Sequence, residues 1–437
     1  MTKMDSMRDQ HSPMAVETSL ERAKRLFPPA SARHTDLAID RALGAHVWTE
    51  DGRRIIDFAS GVAVTNVGHN NPKVLAAAKA QMETMVHVGH NVALCRPYLD
   101  LADRLVSLVG ADRKIFFANS GAEALEAGIK LAMHTSGRTG LVAFKRAFHG
   151  RTLAMTGLSA SSAKYRSGYL GALPAVHHVD FPAPFLSGLS EEAEVERCLA
   201  QLDETFDLLL PPGETAAIVV EPVQGEGGYT PAPAAFLQGL KERADKHGIA
   251  LIFDEIQSGF GRTGKMFAFE HSGVVPDIMA LAKGIANGFP LSAMVARADM
   301  MDKWPAGAHG GTFGGNPVAC ASALAVIDVL QSGALENADK IGQQLRTGLE
   351  QLAASTDYRT DVRGLGLMIG VEFRNHDGTA ASAFVRRVCA EALAAGVLIL
   401  SCGTEGNVLR VMPPTTLTPE EAAEALHLLQ LAFDAAR

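Results

Sequence analysis

Clustered positive charge is missing from this chain of 437 residues, and so is any obvious apolar run of membrane-spanning length. With a formal net charge of −8 and no dense Lys/Arg stretch, it lacks the counterion-releasing surface that nucleic-acid backbones demand, so no nucleic-acid partner is expected. The opening MTKMDSMRDQHSPM has no apolar core of the kind a secretory signal carries. No membrane association and a cytoplasmic location are therefore expected. Cysteine pairing is missing too: Cys95, Cys198, Cys320, Cys389 and Cys402 are five, widely scattered, and form no C-x-x-C. That excludes a disulfide framework and leaves reduced thiols in structural roles. His87 and His90 make an H-x-x-H without further ligand spacing around it, so no metal site is expected. Internal repeats and low-complexity segments are also lacking.

What is present is apolar content of 47%, enough for large buried cores at this length. KIFFANS, TGLVAFKRAFHG, AAIVVEPVQ and IALIFDEIQ read as strands without in/out alternation, separated by helices over about 121–135 and 236–247. Such runs predict a mainly parallel sheet covered on both faces, an α/β core. Residues 182–213 read as a surface insertion carrying one amphipathic helix. After GGTFGGNP the character changes to a long Ala/Leu helical stretch, strands in GLGLMIGVEF and GVLILSCG, and a final helix. That helix opens on a capping box, Thr418 to Glu421, with Pro419 in its first turn. This tail predicts a smaller α+β unit.

SGFGRTGKMF, residues 258–267, imitates two phosphate loops. A nucleoside-triphosphate loop needs Ser or Thr after its lysine for magnesium, and Met266 stands there. A dinucleotide loop needs a helix directly behind it, and Gly273 and Pro276 leave little room. The residues that remain are Asp254, at the charged end of the strand after LIF, and Lys283, following IMALA. A lysine after such an apolar run can be desolvated, which lowers its pKa and makes it an amine nucleophile for a Schiff base. A strand-end Asp followed one supersecondary unit later by that lysine suits pyridoxal 5'-phosphate, whose aldehyde needs the amine and whose ring nitrogen needs the carboxylate. For the phosphate, NSGAEALE offers Asn119 and Ser120 as caps and free amides at Gly121 and Ala122. Phe148 in AFHG offers an aromatic face.

With NSGAEALE, FHGRT, EPVQGEGG, LIFDEIQSGFGRTGK, ALAKGIANGFPLSA, GGTFGGNP and LRVMPP in order, the chain resembles the class III, ω-amino acid, aminotransferases, and among them the 4-aminobutyrate enzymes. The resemblance implies a fold-type I transferase: a large cofactor-binding domain over 66–317, and a small domain built from 1–65 and 318–437. It implies Lys283 and Asp254 as catalytic residues. Gly121, Ala122, Phe148, His149, Gln257 and Thr312 would help bind the cofactor, Thr312 reaching the phosphate of a neighbouring subunit in a homodimer that could pair further into a tetramer. Val62, Arg151, Glu221, Glu226 and Arg410 would bind substrate. A 4-aminobutyrate enzyme must hold a donor with only a distal carboxylate and then 2-oxoglutarate, which carries a second one. Arg151 would take the distal group, Arg410 the second, and Glu226 would pair with Arg410 when no second carboxylate is bound. Enzymes acting on 5-aminovalerate, ornithine, acetylornithine or diamines, and related racemases, share the lysine and aspartate.

Overall fold

A computed structural model describes residues 17–437; the polar opening segment lies outside them. Seven strands form the central sheet, in the spatial order Arg113–Ala118, Ser292–Arg297, Ile278–Leu281, Ala250–Asp254, Thr215–Val220, Gly140–Phe144 and Val176–Val179. Neighbours run parallel except Ser292–Arg297, which is antiparallel to the strands on either side. The central strands are buried along their whole length, as a sheet covered on both faces requires. On one face the Gly121–Ser136 helix buries Ala124, Leu125 and Leu131 against Leu141, Val219 and Ile252. On the other, helices Glu191–Leu208, Ala234–His247 and Pro317–Val329 share a core with Phe144, Val220 and Phe253.

Two sequence expectations change here. The 182–213 stretch is not a surface insertion: its helix Glu191–Leu208 buries Val195, Cys198, Leu202 and Phe206 in the main core. Val195, Leu202 and Phe206, at helical spacing, cost about 1.5–3 kcal/mol each to leave in water, which is why the helix docks; the acidic positions between them made it look like a solvated excursion. The second concerns residues 317–354, which do contain a stretch long and apolar enough by composition to cross a membrane. Half of that stretch is buried in this fold, with Ala319, Cys320, Val326 and Ile327 in the core. The run bends where Ser332 and Gly333 leave helical geometry.

The remaining strands make two four-stranded sheets and a short pair, Val223–Gln224 with Thr230–Pro231. Arg359–Leu365, Met368–Arg374, Val408–Val411 and Leu400–Cys402 form one antiparallel sheet. The other sets Ile39–Leu43, His46–Thr49 and Arg54–Asp57 beside Val397–Leu398, whose Val397 pairs in parallel with Ile56. The GVLILSCG run thus splits at Ile399 and serves both sheets. Ala45, Ile56 and Phe58 share a core with Leu345, Val371, Leu409 and Phe433. The final helix, Pro419–Ala436, carries the expected capping box between Thr418 and Glu421.

Candidate active site

Sheet register brings the site together. Phe253 lies opposite Val220, and Asp254 opposite Ala280, so Asp254, Glu221 and Lys283 emerge at the carboxyl ends of three adjacent parallel strands. Open α/β sheets place their ligands at such ends. The strand Arg113–Ala118 ends at the same edge and delivers the Gly121–Ser136 helix. Its Ser120 side chain accepts from Glu123 N, and the Glu123 carboxylate accepts from the Ser120 and Asn119 amides. Gly121 and Ala122, in the helix's first turn, line a cavity of about 330 Å³. Asp254, Lys283, His149, Phe148, Gln257 and Glu226 also line it.

Asp254 is buried and held from two sides: its Oδ2 accepts from His149 Nδ1 at 2.7 Å, and its Oδ1 from Ile256 N at 3.1 Å. Burial disfavours a charged His149 ring, but the hydrogen bond and charge of Asp254, with Glu221 nearby, hold its pKa above the ordinary value. Burial pushes Glu221 up to about 7, with His149 opposing the shift; its oxygens accept from Phe148 N at 2.8 Å and Gly225 N at 2.7 Å. Lys283 is half-buried at the cavity wall, and burial lowers its pKa despite the opposing charges of Glu226 and Asp254. Its backbone φ is +48°, a conformation that costs a non-glycine residue about 1–3 kcal/mol and concentrates at functional positions.

Arg410 is 1% exposed and its Nη1 donates to Glu226 Oε1 at 2.5 Å. Burial opposes its charge most strongly, but Glu226, Tyr229 and Cys402 together make the net shift upward. The guanidinium is thus wholly buried with one carboxylate, Glu226, as its partner, and that carboxylate lines the Lys283 cavity.

A family profile described as aminotransferase class-III matches residues 28–433. The chain belongs to the class III aminotransferases. It is similar to the 4-aminobutyrate aminotransferase of Escherichia coli K12, 39% identical over 424 residues, 96% of this chain and 98% of the relative. It is equally similar to a 5-aminovalerate aminotransferase of Pseudomonas putida KT2440, at 40% over 411 residues, 93% and 95% of the two chains. Among solved structures, an amine transaminase from an uncultivated Pseudomonas species, in its PLP-bound form, superposes with a TM-score of 0.87. It is 31% identical over 99% of this chain and 100% of that one.

Four residues named from the aminotransferase motifs stand outside the cavity lining, Arg410 among them, which meets it through Glu226. Val62 has a φ of +66° and packs beside Ala59 and Met412, while Val64 lines the cavity instead. Arg151 is exposed, its guanidinium 4.7 Å from the Tyr165 ring centre and 6.0 Å from that of Phe148. Thr312 is exposed on a loop away from its own chain's cavity. Conversely, the motifs did not single out Ile256, Val223, Phe289 or Leu291, apolar walls of the cavity. His34 was also missed; burial lowers its pKa, and it feels the charges of Arg410, Glu226, Lys164 and Arg151. Of the H-x-x-H pair, His90 Nδ1 donates to Gly314 O at 2.9 Å and its ring stacks on Tyr98. Among the described residues no cluster of three metal-ligating side chains occurs.

Glu255, next to Asp254, points the other way. Its carboxylate accepts from Ser258 Oγ, Ala268 N and Phe269 N, and burial pushes its pKa up to about 7 from 4.5. A raised carboxyl pKa means the native state binds the proton more tightly than the unfolded chain, so stability is lost as pH rises from 4.5 through about 7. The loss reaches up to about 3 kcal/mol. Glu255→Gln is expected to flatten this slope, measured as urea midpoints between pH 5 and 8; equal slopes in the two proteins would contradict it.

Proposed function

We propose that this aminotransferase uses pyridoxal 5'-phosphate to move the amino group of 4-aminobutyrate to 2-oxoglutarate, giving succinate semialdehyde and glutamate. The observation that carries the reading is the buried Arg410–Glu226 pair at 2.5 Å, beside a partly desolvated lysine. A donor without a carboxylate next to its amine leaves Arg410 paired with Glu226. Glutamate or 2-oxoglutarate replaces Glu226 with its own carboxylate, so neither state leaves a buried cation unpaired.

The residues present fit the cofactor. Gln257 Oε1 and His149 Nε2 are buried without partners. A Cβ on Gly121 would lie 2.6 Å from Ile256, and one on Gly225 2.8 Å from Gln257, so the cradle is shaped around backbone. Gly121 and Ala122 would hold the phosphate at the helix N-terminus, Asp254 the ring nitrogen, Gln257 the phenolic oxygen, and Phe148 and Ile256 the ring. When bound, the cofactor supplies an aldehyde for the amine and a protonated ring that withdraws electrons from the substrate carbon. Asp254, fixed by His149, keeps a proton on that ring. Lys283 Nζ, uncharged more readily because burial lowers its pKa, takes a proton from one carbon and returns it to the other. The apolar walls exclude water from the exchange.

The test is the visible spectrum of the cofactor-loaded protein. The band should fall on adding 4-aminobutyrate and return on adding 2-oxoglutarate. A band that ignores 4-aminobutyrate would overturn the donor assignment. A second reading, 5-aminovalerate, has equal support from the relatives, and one methylene discriminates by only about 1–3 kcal/mol; the ratio of kcat/KM for the two donors decides between them. We assign the distal carboxylate to Arg151, which would swing inward from its stack on Tyr165. Arg151→Ala should raise KM for 4-aminobutyrate roughly 10- to 100-fold, the worth of a charged hydrogen-bonded pair, and leave KM for a carboxylate-free amine within about twofold; equal shifts would refute the assignment.

We further propose a homodimer in which Thr312 reaches the partner subunit's phosphate. Exposed Val86, Val92, Leu94 and Phe313 would supply its apolar contact; a monomer mass in sedimentation equilibrium would refute it. For the domains we propose the N-terminal boundary near 65 and the C-terminal one at the Ser332–Gly333 bend rather than at 317, because side chains from Ala319 to Ala334 share the large core and Ala338 begins the small one. A cytoplasmic location fits the five unpaired cysteines, and periplasmic fractionation of the native protein would count against it.

A further inference from the structure

Arg363, Gly370 and Arg410 lie in one row across three neighbouring strands: Arg363 pairs with Gly370, and Gly370 with Arg410. Residues paired in this way project to the same face of a sheet, and here the middle position has no side chain. The turn Gly225–Tyr229 fills the gap. A Cβ on Gly370 would come within 2.9 Å of Gly228 O and 2.9 Å of Tyr229 Cβ. On one flank Arg363 grips the turn's backbone, Nε and Nη2 both donating to Gly228 O at 3.0 and 2.8 Å. On the other flank Arg410 holds the turn's carboxylate, Glu226. Gly403 N adds a tether to Glu226 O at 3.0 Å.

The grip on Gly228 is not needed to neutralise Arg363. Its charge is met by Asp361 at 2.7 Å and Glu372 at 2.8 Å, and Glu372 is further fixed by Arg374 and Asn407. These partners lock the guanidinium fork, and a fork locked by two carboxylates holds its remaining donors at a set place. That place is the carbonyl two residues beyond Glu226.

We infer that Arg363 is a positioning residue for Glu226: it keeps the Gly225–Tyr229 turn seated over Gly370 so that Glu226 meets Arg410 whenever the bound donor brings no carboxylate beside its amine. The inference rests on the proposal that Arg410 alternates between Glu226 and a substrate carboxylate. Arg363 therefore governs discrimination between the two kinds of donor without touching either.

The experiment is stopped-flow measurement of single half-reactions on the cofactor-loaded enzyme, with 4-aminobutyrate or glutamate as donor. Arg363→Gln and Arg363→Lys should raise the apparent Kd for 4-aminobutyrate about tenfold or more, the scale of one lost charged hydrogen bond. For glutamate, which brings its own carboxylate to Arg410, the value should stay within about twofold or fall. Gly370→Ala, which pushes on the turn from below while retaining Arg363, should give the same split. In a Glu226→Ala background the Arg363 substitutions should add no further split, because the residue they position is gone. Equal shifts for both donors, or a split undiminished in that background, would overturn the inference. Failure of the underlying reading looks different: wild-type enzyme that reacts with glutamate but not with 4-aminobutyrate, or Glu226→Ala alone producing no split, removes the alternation itself before any Arg363 variant is measured.

Discussion

Replacing Lys283 with Ala should lower kcat by at least about 10³-fold, within the range that a positioned proton-transfer group contributes, and remove the spectral response to donor. Among the described residues no other amine lines the cavity, and a proton must move between two carbons inside an apolar enclosure that admits little water. The same substitution should not destabilise the cofactor-free protein by charge loss. A lysine whose pKa is lowered by burial binds its proton more weakly in the native state than in the unfolded chain, so near pH 7 the ammonium opposes folding. The combination to look for is inactivity with an unchanged or higher Tm of the apo form. Activity within tenfold of wild type would reassign the proton to another group.

Arg262→Ala should destabilise the protein by about 3–5 kcal/mol, the sum expected for a large buried void and several orphaned acceptors. Arg262 is completely buried in the SGFGRTGK loop. Its Nη1 donates to Leu367 O at 3.2 Å and Pro413 O at 2.5 Å, and its Nη2 to Asn66 Oδ1 at 2.6 Å. Burial pushes its pKa down to about 10, yet three segments depend on its fork. Arg262→Lys should recover only part of the loss, since one ammonium cannot serve three acceptors in the guanidinium plane. Urea midpoints of the holoenzyme would show the effect, and a change below about 1 kcal/mol would mean that water replaces the fork.

That loop also shows what could be read before the fold was known. Its glycines suggested phosphate, and the missing magnesium ligand argued against it. In the structure Gly261 and Gly264 have φ of +82° and +84°, and the loop touches the Gly366 turn backbone to backbone, a Cβ there falling 2.3 Å from the Thr263 carbonyl carbon. The glycines serve a tight clasp. The Asp254–Lys283 pairing and the Ser120-capped helix were legible because each is polar chemistry at the end of an apolar run. Ile256, Val64 and Leu291 were not, since an apolar side chain lining a cavity has the same local pattern as one in a core. The position of Arg151 over Tyr165 was illegible for another reason: the ring lies in a separate segment, and only the fold brings cation and face together. The 191–208 helix was misjudged because its acidic residues dominate composition while four spaced apolar ones decide where it packs.

The parallel pairing of Val397 with Ile56 has a consequence for how the chain assembles. Residues 113–297 contain every strand of the central sheet, so that sheet can close while the ribosome is still adding the remainder. The strands around Ile56 emerge before it, yet their edge stays open until Val397 arrives. For that interval an unpaired strand edge is exposed, and such edges recruit other chains. Nascent protein truncated before Val397 should therefore aggregate more readily than the finished chain, and the slowest phase of refolding should be the capture of the early strands by the late one.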